Sequence, residues 1–576
     1  MRKKIDRLFV NSNTTIKETM QIITKAAHVK LPTGIALVVD DNKLTGTVTD
    51  GDIRKALVKG IGLDEKVEGI MAKDPITVEE GLTIDAMIKM MEKKVKEAGR
   101  ISDYKVDKLI ITAKDGAIVD VVDFYQLHYN QGVKYKNICI IGVGHIGLTL
   151  SVLLSEAGCQ VVGFDVNERV IKGLNDAKID FYEKGVEPLL KFHLKERNLT
   201  FNNNLKALNT DTYIICVGTA VDEKTKKPTL GSLRKAAAKV GKVLKKGDIV
   251  ILRSTVPVGV TREILMPILE RASSLAAGRD FYLAFAPERA LEGQALQESK
   301  EIPQIIGGIN KKSAQIASRI FQSINSSIII LENCEEAEMA KLINNTFRDF
   351  SFAFANKIAL ICEKLNLDSV RIIRVANEGY PRNPVSLPSP GVGGDCLTKD
   401  PYLMADLARK TRSSPDIFLE TRRINDSMPH FVADKILQFI KTNWSNEKKV
   451  KIYLIGFAFK GYPETSDMRK SPTINVLEIL QNKLGKKADF SGYDPIVKKD
   501  DIEEKNVKYL HYQEGFKDAH CVLLMNNNYE FAKIDIFGLL ETMKKPGFLF
   551  DGWNFFNPKE ISRVRGIIYQ GLGGGL

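Results

Sequence analysis

A chain of 576 residues is longer than one hydrophobic core organises, so several domains are expected. Hydrophobic residues make up 44% and charged residues 27%, which excludes a disordered chain, and no apolar run is long enough to span a bilayer. The formal charge of +13 suits a phosphorylated small molecule, while the absence of a long Lys/Arg block argues against a nucleic-acid arm. Seven cysteines show no CxxC and no Cys/His metal pattern, and the basic start MRKKIDRLFV has no apolar stretch behind it. A cytoplasmic protein without disulfides or a metal is therefore expected.

The first stretch, 1–132, alternates short strands and helices. GIALVVDDNKLTGTVTDGDIRKALVKG reads as a strand, a turn at Asp41-Asn42, a strand and a helix starting near Asp50. KLIITAKDGAIVDVVDFYQLHYN repeats that order with a turn at Asp115-Gly116, so the segment is an internal repeat. A polar joint, Gln131–Asn137, leads to the strand Ile138–Ile141. Gly142, Gly144 and Gly147 then form a G-x-G-x-x-G that opens an apolar helix, and the strand QVVGFD ends on Asp165. Gly142 permits the tight turn, Gly144 lets the backbone approach a pyrophosphate and Gly147 lets helix and strand pack closely. Ile146 counts with this cofactor-facing turn. Asp165 can accept hydrogen bonds from both ribose hydroxyls and would repel a 2'-phosphate, which favours NAD over NADP.

More α/β units follow. Thr212–Thr219 and Asp248–Gly259 are read as strands ending in small polar loops, where ligands bind. FYLAFAPERALEGQALQES is a strand with an acidic loop at Glu288 and Glu292, and PQIIGG is expected to close the sheet near Gly308. From Asn333 to about Phe439 the apolar spacing turns helical. Such a long helix commonly joins domains and forms a dimer face, and its Phe347–Phe354 stretch is read as core or interface. SPGVGGDCLTKDPYL places Cys396 just after a Gly-Gly pair, with Lys399 and Asp400 close behind. At Val450, VKIYLIGFAFKG opens a second α/β domain, which implies a second ligand.

The repeat in 1–132 resembles a CBS pair. In that family a Thr or Ser with an Asp three residues later binds the ribose of an adenine nucleotide. Thr49 and Asp52 match in the first copy, whereas Asp123 and Gln126 stand there in the second. Nucleotide regulation and a purely structural or dimerising role both stay open. Residues 136 to about 560 resemble the nucleotide-sugar 6-dehydrogenases, the UDP-glucose/GDP-mannose dehydrogenase superfamily. The resemblance is carried by GVGHIGLTL, STVPVGVT, APERALEGQAL, AKLINNTF, GVGGDCLTKDPY and GFAFKGYPETSDMRKSP, in the family's order. It implies a CBS pair at 1–132, an NAD-binding Rossmann domain at 136–330, a central helical dimerisation domain with the catalytic cysteine at 331–440, and a UDP-sugar-binding Rossmann-like domain at 448–576. The fold class is then α/β, two doubly wound parallel sheets joined by helices. The implied activity is oxidation of a sugar C6 alcohol to the carboxylate by two NAD+ in sequence, for surface polysaccharide synthesis, in a homodimer or higher homo-oligomer.

Oxidising an alcohol to an acid takes two hydride transfers, and a bare aldehyde is a poor hydride donor. A thiol supplies the needed tetrahedral adduct, and Cys396 is the candidate. The family's oxyanion-stabilising Lys and Asn fall on Lys341 and Asn345, four apart on one helix face. Its water-positioning Asp falls on Asp400, with Thr255 beside that water. The glutamate of its Pro-Glu loop falls on Glu288, as base or water activator. How Glu288, Lys341 and Asp400 divide the work is left open. Thr219, Thr255, Glu292, Lys399 and Arg469 match cofactor contacts. Arg289, Ala290, Leu291, Arg382, Gly393, Phe459 and Lys460 match substrate contacts. Arg289 and Arg382 resemble the acetamido-sugar branch, Glu292 and Lys399 the UDP-glucose type. UDP-N-acetylmannosamine or UDP-N-acetylglucosamine is the expected substrate and UDP-glucose the alternative. A one-step 2-hydroxyacid or 6-phosphogluconate-like dehydrogenase and a non-catalytic nucleotide sensor are the competing readings.

Overall fold

The computed structural model describes residues 5–27, 34–41, 43–73, 75–82, 87, 90, 94, 108–113, 116–123, 137–205, 209–382 and 384–574. The chain divides into two compact units, Met1–Lys134 and Tyr135–Leu576.

In the first unit β1 (Phe9–Val10) runs parallel to β2 (Ile35–Asp40), which turns back into antiparallel β3 (Lys43–Thr49) and β4 (Ala72–Lys73). The same motif recurs: β5 (Thr77–Glu79) runs parallel to β6 (Lys108–Thr112), which pairs antiparallel with β7 (Ile118–Asp123). Even the register slip is repeated, between Val38 and Val39 in one hairpin and between Ile111 and Thr112 in the other. The sequence repeat is therefore one topological motif used twice. Ile5, Leu8, Ile35 and Leu37 share a core with Ile110 and Val121, so neither copy buries its apolar face alone. Asp41 takes the left-handed turn conformation that Asp tolerates. Asn42, Asp115, Gln126, the helix expected after β7 and the joint 131–136 lie outside the described residues.

The second unit opens with β8 (Asn137–Ile141), β9 (Gln160–Phe164), β10 (Leu199–Asn202) and β11 (Thr212–Ile215). A small hairpin, β12 (Ala220–Val221) and β13 (Pro228–Thr229), precedes β14 (Ile249–Leu252), β15 (Tyr282–Phe285), β16 (Gln304–Gly308) and β17 (Ile328–Leu331). The sheet order is β10-β9-β8-β11-β14-β15-β16-β17, parallel throughout except at β15–β16. This is the doubly wound order, with its switch point between β8 and β11. Ile138–Ile141 and Ile249–Leu252 are buried on both faces, which is why they read as unbroken apolar runs. Each such side chain contributes about 1.5–3 kcal/mol. The sheet does not close at Gly308. The short run Ile328–Leu331 pairs outside β16 as a further strand, and its Ile329 and Ile330 remain exposed at the edge.

The helix Cys334–Lys364 is capped by Asn333, whose side chain accepts the Glu336 N–H. It packs against helices Asp400–Lys410 and Asp416–Asn443. Phe347, Phe350 and Phe354 stay exposed on it together with Ile343 and Ile361, so in the single chain they form a surface and not a core. The last domain has β18 (Val450–Ile455), β19 (Ala488–Tyr493), β20 (Lys508–Tyr509), β21 (Cys521–Leu524), β22 (Gly547–Asp551) and β23 (Ile567–Gly571). Its order, β20-β19-β18-β21-β22-β23, repeats the winding of the first sheet, all parallel. Met428, Val432 and Ile436 of the helix Asp416–Asn443 bury against Ile452 and Leu454 of this sheet, joining the helical layer to the last domain.

Candidate active site

β8 runs into the glycine turn. Gly142 has φ +91° and its N–H donates to the Phe164 carbonyl at 2.8 Å. A Cβ on Gly147 would lie 1.9 Å from the Gly142 carbonyl oxygen, so only glycine lets helix and strand approach this closely. A Cβ on Gly144, the helix N-cap, would meet nothing within 4 Å. That open space above the helix N-terminus leaves room for a pyrophosphate, and the residues present fit NAD. Asp165 stands at the end of β9. Its two oxygens hold the Val143 N–H at 3.1 Å and the Asn167 N–H at 2.9 Å, which fixes its orientation beside the turn. Ile146 is exposed in the same turn.

A second group gathers around the Gly393-Gly394 loop. Gly394 has φ +80°, and a Cβ there would lie 2.8 Å from the Phe459 ring, so the loop lies flat against the last domain. A Cβ on Gly393 would meet the Lys470 carbonyl at 2.6 Å. Of the seven cysteines five are buried, Cys216 is half-buried and Cys396 alone is exposed. The residue is exposed, yet its thiol is enclosed by protein, and this desolvation raises its pKa. Asp400 raises it further, while Lys341 and Lys399 oppose. Asp400 begins the helix Asp400–Lys410 and is fully buried. The Asn345 amide donates to its Oδ2 at 2.6 Å, while its Oδ1 has no hydrogen-bond partner and lies 3.9 Å from Lys399 Nζ. Burial raises the Asp400 pKa against the pull of Lys399 and Lys341. The Lys399 ammonium donates to the Thr219 carbonyl at 3.0 Å and hydroxyl at 3.2 Å, and the Thr219 hydroxyl donates to the Thr255 carbonyl. Lys399 thus ties the cysteine loop to the carboxyl end of β11. Lys341 is buried, and its charge acts on Glu288, Cys396 and Asp400.

Glu288 is brought to the same cluster but both its oxygens are engaged. Oε2 pairs with Arg253 Nη2 at 2.5 Å, and Oε1 accepts the N–H of Arg289 and of Ala290 at 2.7 and 2.8 Å. Burial alone would raise its pKa; Arg253 and these N–H groups hold it below the ordinary value. The Leu291 N–H is taken by Glu298, and Arg289 donates to the Pro303 carbonyl, so this loop is braced from within. Lys460, buried beside Phe459, donates to the Glu292 carbonyl at 2.6 Å, and burial lowers its pKa to about 8. Arg469 forks onto Asp467 and lies 3.5 Å from Glu292. Arg382 is not brought to the cluster: it is exposed and its guanidinium engages Tyr380. In the first unit Thr49 and Asp52 form a reciprocal capping box on the helix Asp50–Val58, with the Thr49 hydroxyl 2.6 Å from Asp52 Oδ2.

Sequence reasoning missed three parts of this site. Arg253 is a lone arginine after a strand, and only the fold shows its partners Glu288, Gln304 and the Ala286 carbonyl. Arg422 is buried with Asp349 and also donates to the Leu397 carbonyl, next to Cys396; its partners lie far off in sequence. Arg348 carried a readable signal: it stands seven residues after Lys341, on the same helix face, and its charge interacts with Cys396.

Residues 136–325 match the NAD binding domain of the UDP-glucose/GDP-mannose dehydrogenase family, 335–427 its central domain and 453–558 its UDP binding domain; residues 1–59 match a CBS domain. The UDP-N-acetyl-D-mannosamine dehydrogenase of Pyrococcus horikoshii is 32% identical over 440 residues, 76% of this chain and 99% of that one. The protein of the same name from Methanococcus maripaludis is 35% identical over 407 residues, 69% of this chain and 88% of its own. A solved structure of a UDP-D-ManNAc dehydrogenase from Pyrococcus horikoshii has a TM-score of 0.68 at 31% identity, covering 76% of this chain and 99% of that one. The chain belongs to the UDP-glucose/GDP-mannose dehydrogenase family and carries an N-terminal CBS domain. It is an NAD-dependent nucleotide-sugar dehydrogenase, and the readings of a one-step hydroxyacid enzyme and of a non-catalytic sensor fall.

Proposed function

We propose that the enzyme oxidises the C6 hydroxyl of a UDP-N-acetylhexosamine, with UDP-N-acetylmannosamine first among the candidates, to the carboxylate through an adduct on Cys396. The observation that carries this is the exposed residue Cys396 beside buried Lys341 and an Asp400 oxygen with no hydrogen-bond partner. NAD, when bound, accepts one hydride at each oxidation. In the first, the proton of the C6 hydroxyl passes by way of a water to Asp400, whose raised pKa suits it as acceptor, while Lys341 stabilises the developing oxyanion. The Cys396 sulfur then bonds to the aldehyde carbon as the carbon–oxygen π bond breaks, and the thiol proton is relayed through Asp400 to the aldehyde oxygen, which becomes the hydroxyl of a thiohemiacetal. Loss of the second hydride, with that hydroxyl's proton passing through Asp400 to solvent, leaves a thioester. A water at the free Asp400 oxygen attacks it, the carbon–sulfur bond breaks and the thiol regains its proton. Asn345 and Lys341 hold the oxygen that is charged in each adduct. Glu288, with both oxygens taken, anchors the 288–290 loop instead of moving a proton.

The acetamido sugar is supported by the names of the relatives and by Arg289 and Arg382, matched to that branch. UDP-glucose is the alternative. NADH release with UDP-N-acetylmannosamine, UDP-N-acetylglucosamine, UDP-glucose and GDP-mannose tests it; a preference for UDP-glucose sinks the acetamido assignment, and one NADH per sugar sinks the adduct. We further infer a homodimer through the exposed Ile343–Phe354 face, with Arg382 serving the neighbouring site, in a cytoplasmic enzyme of surface polysaccharide synthesis. An adenine nucleotide at Thr49 and Asp52 is the proposed ligand of the CBS domain. Calorimetric titration with AMP and ATP tests it, with no heat as the refuting result.

A further inference from the structure

The residue after Gly144 in the glycine turn is a histidine, and hydride transfer requires none there. His145 opens the helix His145–Glu156 and sits between two carboxylates. Its Nε2 lies 2.8 Å from Glu183 Oε2 and its Nδ1 3.4 Å from Glu292 Oε1, while Phe181 meets the ring edge-on at 4.6 Å. The Glu183 side chain is fully buried, and its two oxygens also accept the N–H groups of Gly293 at 2.7 Å and Ala295 at 2.9 Å. Glu183 thereby pins the cofactor turn to the 289–295 loop. From that loop two contacts reach the last domain: the Glu292 carbonyl accepts from Lys460, and Glu292 Oε1 faces Arg469. The neighbouring Tyr182 N–H donates to Ser466 of the same domain at 2.9 Å. A cavity of about 300 Å³, lined by His145, Tyr182, Glu292 and Arg469 among others, opens at this junction.

We propose that His145 is a positioning residue that couples the two nucleotide sites: held between Glu183 and Glu292, it fixes the cofactor turn to the loop that Lys460 grips, so that filling one site orders the other. This rests on NAD occupying the first Rossmann domain and UDP the last. Bridging two carboxylates at once needs both ring nitrogens to donate, hence the imidazolium. Burial works against that charge, but the hydrogen bonds and charges of Glu183 and Glu292 outweigh it and raise the pKa to about 9. The other charged or titratable groups facing this junction are Asp180, Tyr182, Asp467 and Arg469, with Lys460 beyond Glu292. The bridge is complete at neutral pH and loses one arm as pH rises through about 9.

The experiment measures NAD+ affinity of the full-length protein with and without saturating UDP, at neutral pH and above the His145 pKa. Lys460, whose pKa is lowered to about 8, also titrates in this range and feels the charge of Glu183 but not that of His145, so the difference between wild type and His145→Gln isolates the histidine. In the wild type UDP should tighten NAD+ binding by about fivefold or more at neutral pH, and the gain should fade at alkaline pH. His145→Gln should bind UDP alone normally, lose the gain and lose its pH dependence; Glu183→Gln should do the same. Wild-type coupling and pH profile in His145→Gln overturn the proposal. So does a variant that loses both affinities together with a lowered melting temperature, since that is a structural role only. Failure of the wild type to bind NAD+ or UDP at all would refute the domain assignment itself.

Discussion

At the scale of single residues, Cys396 is the exposed cysteine, but its enclosed thiol is mostly protonated at neutral pH. Enclosure and Asp400 outweigh Lys341 and Lys399, so the Cys396 pKa lies above its ordinary value. Aldehyde oxidation should therefore quicken as pH rises from neutral into the alkaline range, because more thiolate forms; stopped-flow turnover of the aldehyde at several pH values measures this. Cys396→Ser should abolish full conversion to the acid, read as loss of uronate by mass spectrometry. Asp400→Asn should slow turnover by about 10²–10⁴, the usual worth of a positioned acid–base group, with little change in NAD+ affinity. Cys396, Lys341, Asn345 and Asp400 are all legible in the amino-acid sequence as motif residues. The pairing that occupies Glu288 is not, because Arg253 stands 35 positions away and no local spacing announces it.

At the scale of elements, caps and buried pairs hold the site's supports. Thr49 and Asp52 close a capping box, so Thr49→Ala should cost the first unit about 1 kcal/mol in denaturant unfolding, whatever it binds. A nucleotide titration of that variant must be judged against this loss. Arg422 bridges Asp349 of the long helix and the Leu397 carbonyl of the cysteine loop. Arg422→Met leaves the buried Asp349 with the Asn425 amide but without its charge partner and should cost about 3–5 kcal/mol, measured by urea midpoint, and lower turnover by loosening the loop. The long helix is readable from its apolar spacing and from Asn333. The edge strand Ile328–Leu331 is not: four apolar residues before a helix carry no periodicity, and only pairing with β16 makes them a strand.

At the scale of the whole molecule, the same winding is used twice, and the long helix leaves an apolar face uncovered. Phe347 is 66% exposed and Phe354 47%, more apolar surface than a chain in isolation leaves on one helix without reason. Phe347→Glu should shift the protein toward a monomer in light scattering and reduce turnover if Arg382 serves the neighbouring site. The two α/β domains are legible because buried parallel strands are unbroken apolar runs ending at glycines or polar residues. The second CBS-like copy is legible as a repeat, and its shared core with the first explains why a single copy would be incomplete.

The uneven exposure of the cysteines also makes this enzyme easy to count. Five of its thiols are sealed in cores, Cys216 is half-covered and Cys396 faces the cleft. A mild alkylating reagent at alkaline pH, where more thiolate forms, should therefore reach Cys396 first on the native protein. With Cys396 in the role proposed for it, the mass added per chain would report how many sites are open, and its protection by a bound sugar would read out occupancy without any reaction having to take place.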